Sequence, residues 1–187
     1  PVLDERWRTA ELPTTDAEIW RYSRIGELDL TKFSPVAHVP NVSGATSYVS
    51  HADGVVDVFP DERPDVFADI NADLAATTHV VVPPGEVVTE PIVLEHRIPA
   101  GGAMVCPRVV IEAGRDSQVT VIERFRSESD GPSLVLPVLQ IAADPAARVQ
   151  YLGVNELSTQ AWSIAHQQSR GDRDSSTLVA TVALGGD

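Results

Sequence analysis

Cysteine is nearly missing from this sequence: of 187 residues, only Cys106 carries a thiol. A single cysteine excludes an internal disulfide and fits a reducing compartment. It also excludes a metal cluster held by this chain alone, because a cluster needs several thiolates or a mixed Cys/His set. Aromatic residues make up only 5% of the chain. The core must therefore be built from Val, Ile, Leu and Ala, which suit stacked strands better than a helical bundle. Positive charge is scarce as well, with 14 Lys and Arg against 27 Asp and Glu, a net charge of −13. So acidic a surface repels phosphate backbones and anionic lipid, which argues against nucleic acid and membrane as partners. No apolar run reaches 18 residues, and the first ten residues are charged and hold no signal-peptide core, so the expected location is the cytoplasm. The G-x-S-x-G, P-loop and G-x-G-x-x-G patterns are missing too; Gly101-Gly102 and Gly185-Gly186 read as turn glycines.

What the chain does have is short β-branched runs closed by Gly, Pro or Asp. Strands are expected over residues 80–82, 92–94, 109–111, 119–122, 134–141, 149–152, 163–165 and 178–182. The run centres repeat: Val81 to Val110 is 29 residues, Val110 to Val138 is 28, and Val138 to Ser163 is 25. Repeats of that length lie in the solenoid range. Two strands per repeat, each stacked on its equivalent in the next coil, would give a parallel β-helix. A jelly-roll or sandwich explains the same eight strands equally well on spacing alone.

Ahead of this body the chain reads differently. Residues 1–13 are polar around Trp7 and are expected to form an arm that docks by that ring. Thr15 and Glu18 have the spacing of a capping box, so a helix of about ten residues is expected up to Gly26, with Trp20 packing it onto the β-body. Residues 27–60 are broken by Pro35, Pro40 and Pro60 and read as loops with two short strands, one candidate being residues 54–59. Pro64-Asp65 opens a second helix carrying Val66, Phe67, Ile70 and Leu74 at helical spacing. An exposed turn is expected over residues 126–133.

Several of these pieces form a collinear pattern. Glu18-Ile19-Trp20-Arg21-Tyr22-Ser23, then Phe67 with Ile70-Asn71, and then Val82-Pro83-Pro84-Gly85 resemble the start of SufD. SufD belongs to the SufB/SufD family of the SUF iron–sulfur cluster assembly system. Residues 90–96, Pro107-Arg108-Val109-Val110-Ile111, Leu139-Gln140-Ile141, residues 147–151, Arg173-Asp174-Ser175 and Leu184-Gly185-Gly186 continue the resemblance, which covers roughly residues 12–187. It implies a mainly β fold: a right-handed parallel β-helix over residues 77–187, preceded by a small α-containing region over residues 1–76. It further implies a scaffold subunit that pairs with a SufB-like subunit and a SufC-like ATPase. The iron–sulfur cluster would be held transiently by the full complex, with no cofactor on this chain alone. Family members are longer, so the β-helix would stop inside the family's pattern, and its apolar last run predicts a homodimer in isolation.

Candidate sites are sparse. Cys106 lies in an apolar flank and reads as a core residue. His38, His51, His79, His96 and His166 form no H-x-H or H-x-x-x-H pair and read as surface or turn residues. Glu95-His96 lacks the rest of a cupin ligand set. No catalytic, cofactor-binding or metal residue is assigned, and no enzymatic activity is expected. Two other functions remain open. One is a carbohydrate-active β-helix enzyme using the carboxylates of Arg170-Gly171-Asp172-Arg173-Asp174; the other is an interaction module without chemistry.

Overall fold

The computed structural model describes residues 5–60 and 63–186; the first four residues of the expected N-terminal arm lie outside them. The chain opens with a single helical turn, α1 (Glu5–Arg8), then runs through the short strands β1 (Ser34–Pro35), β2 (Asn41–Gly44) and β3 (Val49–Ala52) to the helix α2 (Val66–Leu74). The β-rich body follows as successive coils. The first is β4 (Thr77–Val82), β5 (Ile92–Ile98) and β6 (Ala103–Val105). The second is β7 (Arg108–Ala113), β8 (Gln118–Ser127) and β9 (Ser133–Val135). The third is β10 (Val138–Ala143), β11 (Arg148–Glu156) and β12 (Ala161–Ser163), and a fourth begins with β13 (His166–Gly171) and β14 (Ser176–Ala183).

Each strand pairs in parallel with its counterpart one coil on, which makes a three-sided β-solenoid of about four turns. On the first side Thr77, Arg108, Val138 and His166 lie in one register column. The tie between solenoid and sandwich is thereby resolved, and seven of the eight expected runs fall on the parallel ladders; of residues 163–165 only Ser163 does, Ile164-Ala165 being the corner between β12 and β13. The expectation of two strands per coil is corrected to three. The third strand is only three residues long in every coil, below the length at which alternation can be read. The expected run 134–141 spans two strands, the end of β9 in the second coil and the start of β10 in the third, separated by the corner Leu136-Pro137. The irregular 25-residue step has the same origin: the equivalent of Val138 is His166, on the first side, and Ser163 belongs to the third.

Two layers of core follow from the alternation of inward and outward side chains. Inside the solenoid Val80, Ile111 and Ile141 stack from one side against Ile92, Val121 and Tyr151 from the other. Outside the third side, Met104, Cys106, Leu134 and Leu136 are covered by the N-terminal region, which contributes Ile25, Leu28, Leu30, Phe33, Phe67 and Ile70. At the start of the solenoid the strands reverse: β2 pairs antiparallel with β5, and β3 antiparallel with β4. These two strands and the turn between them seal that end with Val42, Ala45, Tyr48 and Val49 against the inner core.

The expected capping-box helix is not formed. Residues Glu18–Trp20 and Ile25–Glu27 make single 3-10 turns, and Ala17, not Thr15, sits at the first N-cap without a side-chain bond. Ile19 and Tyr22 are 73% and 92% exposed. A ten-residue helix has too few bonds to hold without tertiary packing, and here packing wants an open chain that lays Ile25, Leu28, Leu30 and Phe33 onto the sheet. Trp20 still docks, half-buried, with its ring centroid 5.6 Å from that of Phe67. Residues 54–59 are not a strand either, but a loop across the first side. The second helix begins where expected: Asp65 caps α2, accepting from the N–H groups of Phe67 and Ala68.

The turn between first and second sides is repeated in every coil. Gly85, Asp116, Ala146 and Asp174 occupy equivalent positions, all with φ between 58° and 77°. Their N–H groups donate to the coil below: Gly85 to Arg115 O at 2.8 Å, Asp116 to Pro145 O at 3.1 Å, and Ala146 to Arg173 O at 3.0 Å. Glycine and aspartate tolerate this left-handed backbone, and alanine carries the full Cβ penalty. Ala146→Gly should therefore stabilise the protein by about 0.5–1 kcal/mol, relief of strain outweighing the added freedom of the unfolded chain. An unchanged or lower urea midpoint would contradict this account.

Candidate functional site

Two buried polar groupings stand out, one on the outer face of the solenoid and one in its lumen. The outer one begins at Asn71, on the inward face of α2 and fully buried. Its amide donates to Pro107 O at 2.9 Å and Leu136 O at 2.7 Å, at the corners of two successive coils. Its carbonyl accepts from Arg108 Nε at 3.0 Å. The Arg108 guanidinium also faces Asp57, Nη1 to Oδ2 at 3.8 Å. Asp57 accepts from Gln140 Nε2 at 2.8 Å, while Gln140 Oε1 accepts the N–H of Val58 at 3.0 Å. Burial alone would raise the Asp57 carboxyl, but the bonds from Gln140 and the Phe59 N–H, with Arg108 alongside, hold it below the ordinary range. The grouping is a clamp: helix, covering loop and coils are tied through Asn71, Arg108 and Gln140, which are buried, and Asp57, which is partly so. Asn71→Ala would leave Leu136 O without that donor and Arg108 without its Nε acceptor. It should cost about 2–4 kcal/mol, measurable as a lower urea midpoint.

The lumen grouping joins three strand residues and one loop residue. In β5 the alternation Ile92, Leu94, His96, Ile98 points His96 inward, where it is 1% exposed. In β8 the same alternation turns Glu123 inward between Val121 and Phe125, at 2% exposure. Tyr151 of β11 lies across Gly153, whose Cβ, if present, would come within 3.3 Å of the ring. Glu123 accepts at Oε1 from His96 Nε2 at 2.8 Å and at Oε2 from the Tyr151 hydroxyl. His38, brought in by the loop between β1 and β2, meets the free side of His96, Nε2 to Nδ1 at 3.0 Å. The imidazole of His96 stacks on Phe125, centroids 4.7 Å apart and 8° from parallel.

With Glu123 ionised, and so an acceptor only, a neutral His96 carries its proton on Nε2 and accepts at Nδ1 from His38 Nε2–H. Every bond of the chain His38, His96, Glu123, Tyr151 is then filled. Burial pushes the Tyr151 hydroxyl well above its ordinary value, with the Glu123 charge adding to it. Burial, and next the neighbouring His96, lower His38 to about 4. A histidine that resists protonation when folded binds fewer protons than the unfolded chain once the pH falls below 6.5. Its contribution to stability is thus complete above that value and is lost as the pH falls towards 4. Wild type should take up about one more proton on unfolding between pH 6.5 and 4 than His38→Gln, read from the pH dependence of the urea-unfolding free energy. Equal slopes would mean that His38 titrates freely.

The reading of the histidines as surface or turn residues is corrected for His96. Among the others, His79 pairs with Glu112 at 2.6 Å, and His166 with Asp65 at 3.0 Å, tying the fourth coil to the cap of α2. The signal for His96 was present in the sequence as its period-two place between Leu94 and Ile98. Glu123 and Tyr151 could have been found likewise from Val121 and Val149. Nothing local marks His38. Cys106 is buried against α2 and the N-terminal region, and burial pushes its thiol up to about 12, so it is a poor thiolate ligand. Arg170 and Gly171 end β13, and Asp172, Arg173 and Asp174 form the exposed turn into β14. Among the described residues no group of three or more His, Cys, Asp or Glu side chains is placed to hold a metal ion, and no helix is long and apolar enough to cross a membrane.

The coils that carry this lumen are the part of the chain with a recognisable kinship. Residues 96–187 match the SUF system FeS cluster assembly, SufBD core domain, and this match supports SufB/SufD family membership at the C-terminal part of the chain. Comparison with curated proteins gives no match.

Proposed function

We propose that the chain is a SufD-like scaffold subunit of a SUF-type cluster assembly complex, acting in the cytoplasm beside a SufB-like subunit and a SufC-like ATPase. The observation that carries the reading is the coincidence of the SufBD core match over residues 96–187 with the parallel coils built by those same residues. Among the described strands, β14 has β11 as its only neighbour. It exposes Leu178, Val179 and Val182, with Leu184 just beyond. An open ladder edge flanked by apolar side chains is a template for another strand. The role is non-enzymatic: the chain supplies a rigid surface, and the iron–sulfur cluster is cargo of the whole complex, with no cofactor resident on this subunit.

In isolation the same edge pairs two copies across a two-fold axis. Light scattering should give twice the 20.1 kDa chain mass, and added SufB-like subunit and SufC-like ATPase should replace the homodimer by a mixed complex on size exclusion. A monomer at high concentration would refute self-pairing. Failure to co-elute with either partner would refute the scaffold role.

A further inference from the structure

The lumen chain lies between two cavities. His38 lines the first, a cavity of about 270 Å³ beneath the N-terminal region, together with Asp53 and Cys106. Glu123 and Tyr151 line the second, about 50 Å³ between the third and fourth coils, together with Asn155, Gln167 and Thr181. Between them the contacts are continuous: 3.0 Å from His38 to His96, 2.8 Å from His96 to Glu123, and a hydrogen bond from Tyr151. Hydrogen bonding of structural polar groups needs only that each be satisfied. This set does more, because its two imidazoles each offer one nitrogen to either side, the arrangement that lets a proton enter at one ring nitrogen while another leaves from the opposite one.

We propose that His38, His96 and Glu123 form a proton relay from the outer cavity to the lumen cavity, with Tyr151 holding the receiving carboxylate. One proton arrives at His38 Nδ1. The Nε2 proton of His38 passes to His96 Nδ1, and the Nε2 proton of His96 passes to Glu123 Oε1. No electron moves and no heavy-atom bond breaks; one proton has entered and one rests on a carboxyl that borders the lumen cavity. The lumen cavity has room for water-sized protic ligands, and Glu123 is the group that gives such a ligand its proton or takes one away. Phe125, stacked on His96, keeps the ring in the plane both transfers require. The inference does not depend on the scaffold reading, and its test uses no partner.

The test follows hydrogen exchange in the whole chain labelled with ¹⁵N-histidine and ¹³C-tyrosine. After transfer to D₂O, His96 Nε2–H should be lost before the Tyr151 hydroxyl proton, because deuterons enter at His38. His38→Gln keeps a donor for His96 Nδ1 but cannot pass a proton on. It should slow exchange at His96 Nε2 at least tenfold while the backbone amides of β8 and β11 keep their wild-type protection. Unchanged exchange at His96 in this variant would overturn the relay and leave a static polar core. Should His38→Gln loosen the amides, the order of exchange in the wild type decides by itself: loss at Tyr151 first would place proton entry in the lumen and overturn the proposal.

Discussion

Everything in this molecule hangs on in-register pairing of backbone between coils. Parallel ladders repeat at ~4.8 Å, so a residue lies over its equivalent one coil away, and its side chain must fit the column it inherits. Apolar columns such as Val80, Ile111 and Ile141 fit by similarity. The column Leu94, Glu123, Gly153, Thr181 fits by complementarity: the missing side chain at Gly153 is the space that Tyr151 uses to reach Glu123. A buried carboxylate is costly unless its oxygens are filled, and the ladder fixes the two donors that fill it.

The same rule explains what could be read in advance. Strands that stack on one another need β-branched runs and turn residues at a constant interval, and both are visible along a single chain. The three-residue strands of the third side carry no such signal, since Ala103, Met104 and Val105 are all buried and show no alternation. The N-terminal region is the harder case. Its residues Leu28, Leu30 and Phe33 take their conformation from Met104 and Leu134, which come many tens of residues later, so a local capping pattern at Thr15 was outvoted. In the lumen, the period-two positions of His96 and Glu123 are local facts. The bond from His38 to His96 spans 58 positions and is a fact of topology alone.

The N-terminal region is joined to the coils by exchange of polar groups as much as by apolar contact. Thr77 accepts the Val56 N–H and donates to Gly54 O, and Gln140 reaches the same loop. One fixed partner set for each buried amide or hydroxyl leaves the covering layer a single docking position, which greasy surfaces alone would not impose.

The two ends of the solenoid are unlike. At one, β2 and β3 run antiparallel to β5 and β4, so strands of reversed direction cover the first coil. At the other, among the described strands, β13 and β14 present the same polarity as every coil before them. A reversed strand makes a different hydrogen-bond pattern from the parallel ladders behind it, so the first coil meets a boundary and not another turn of the same pattern.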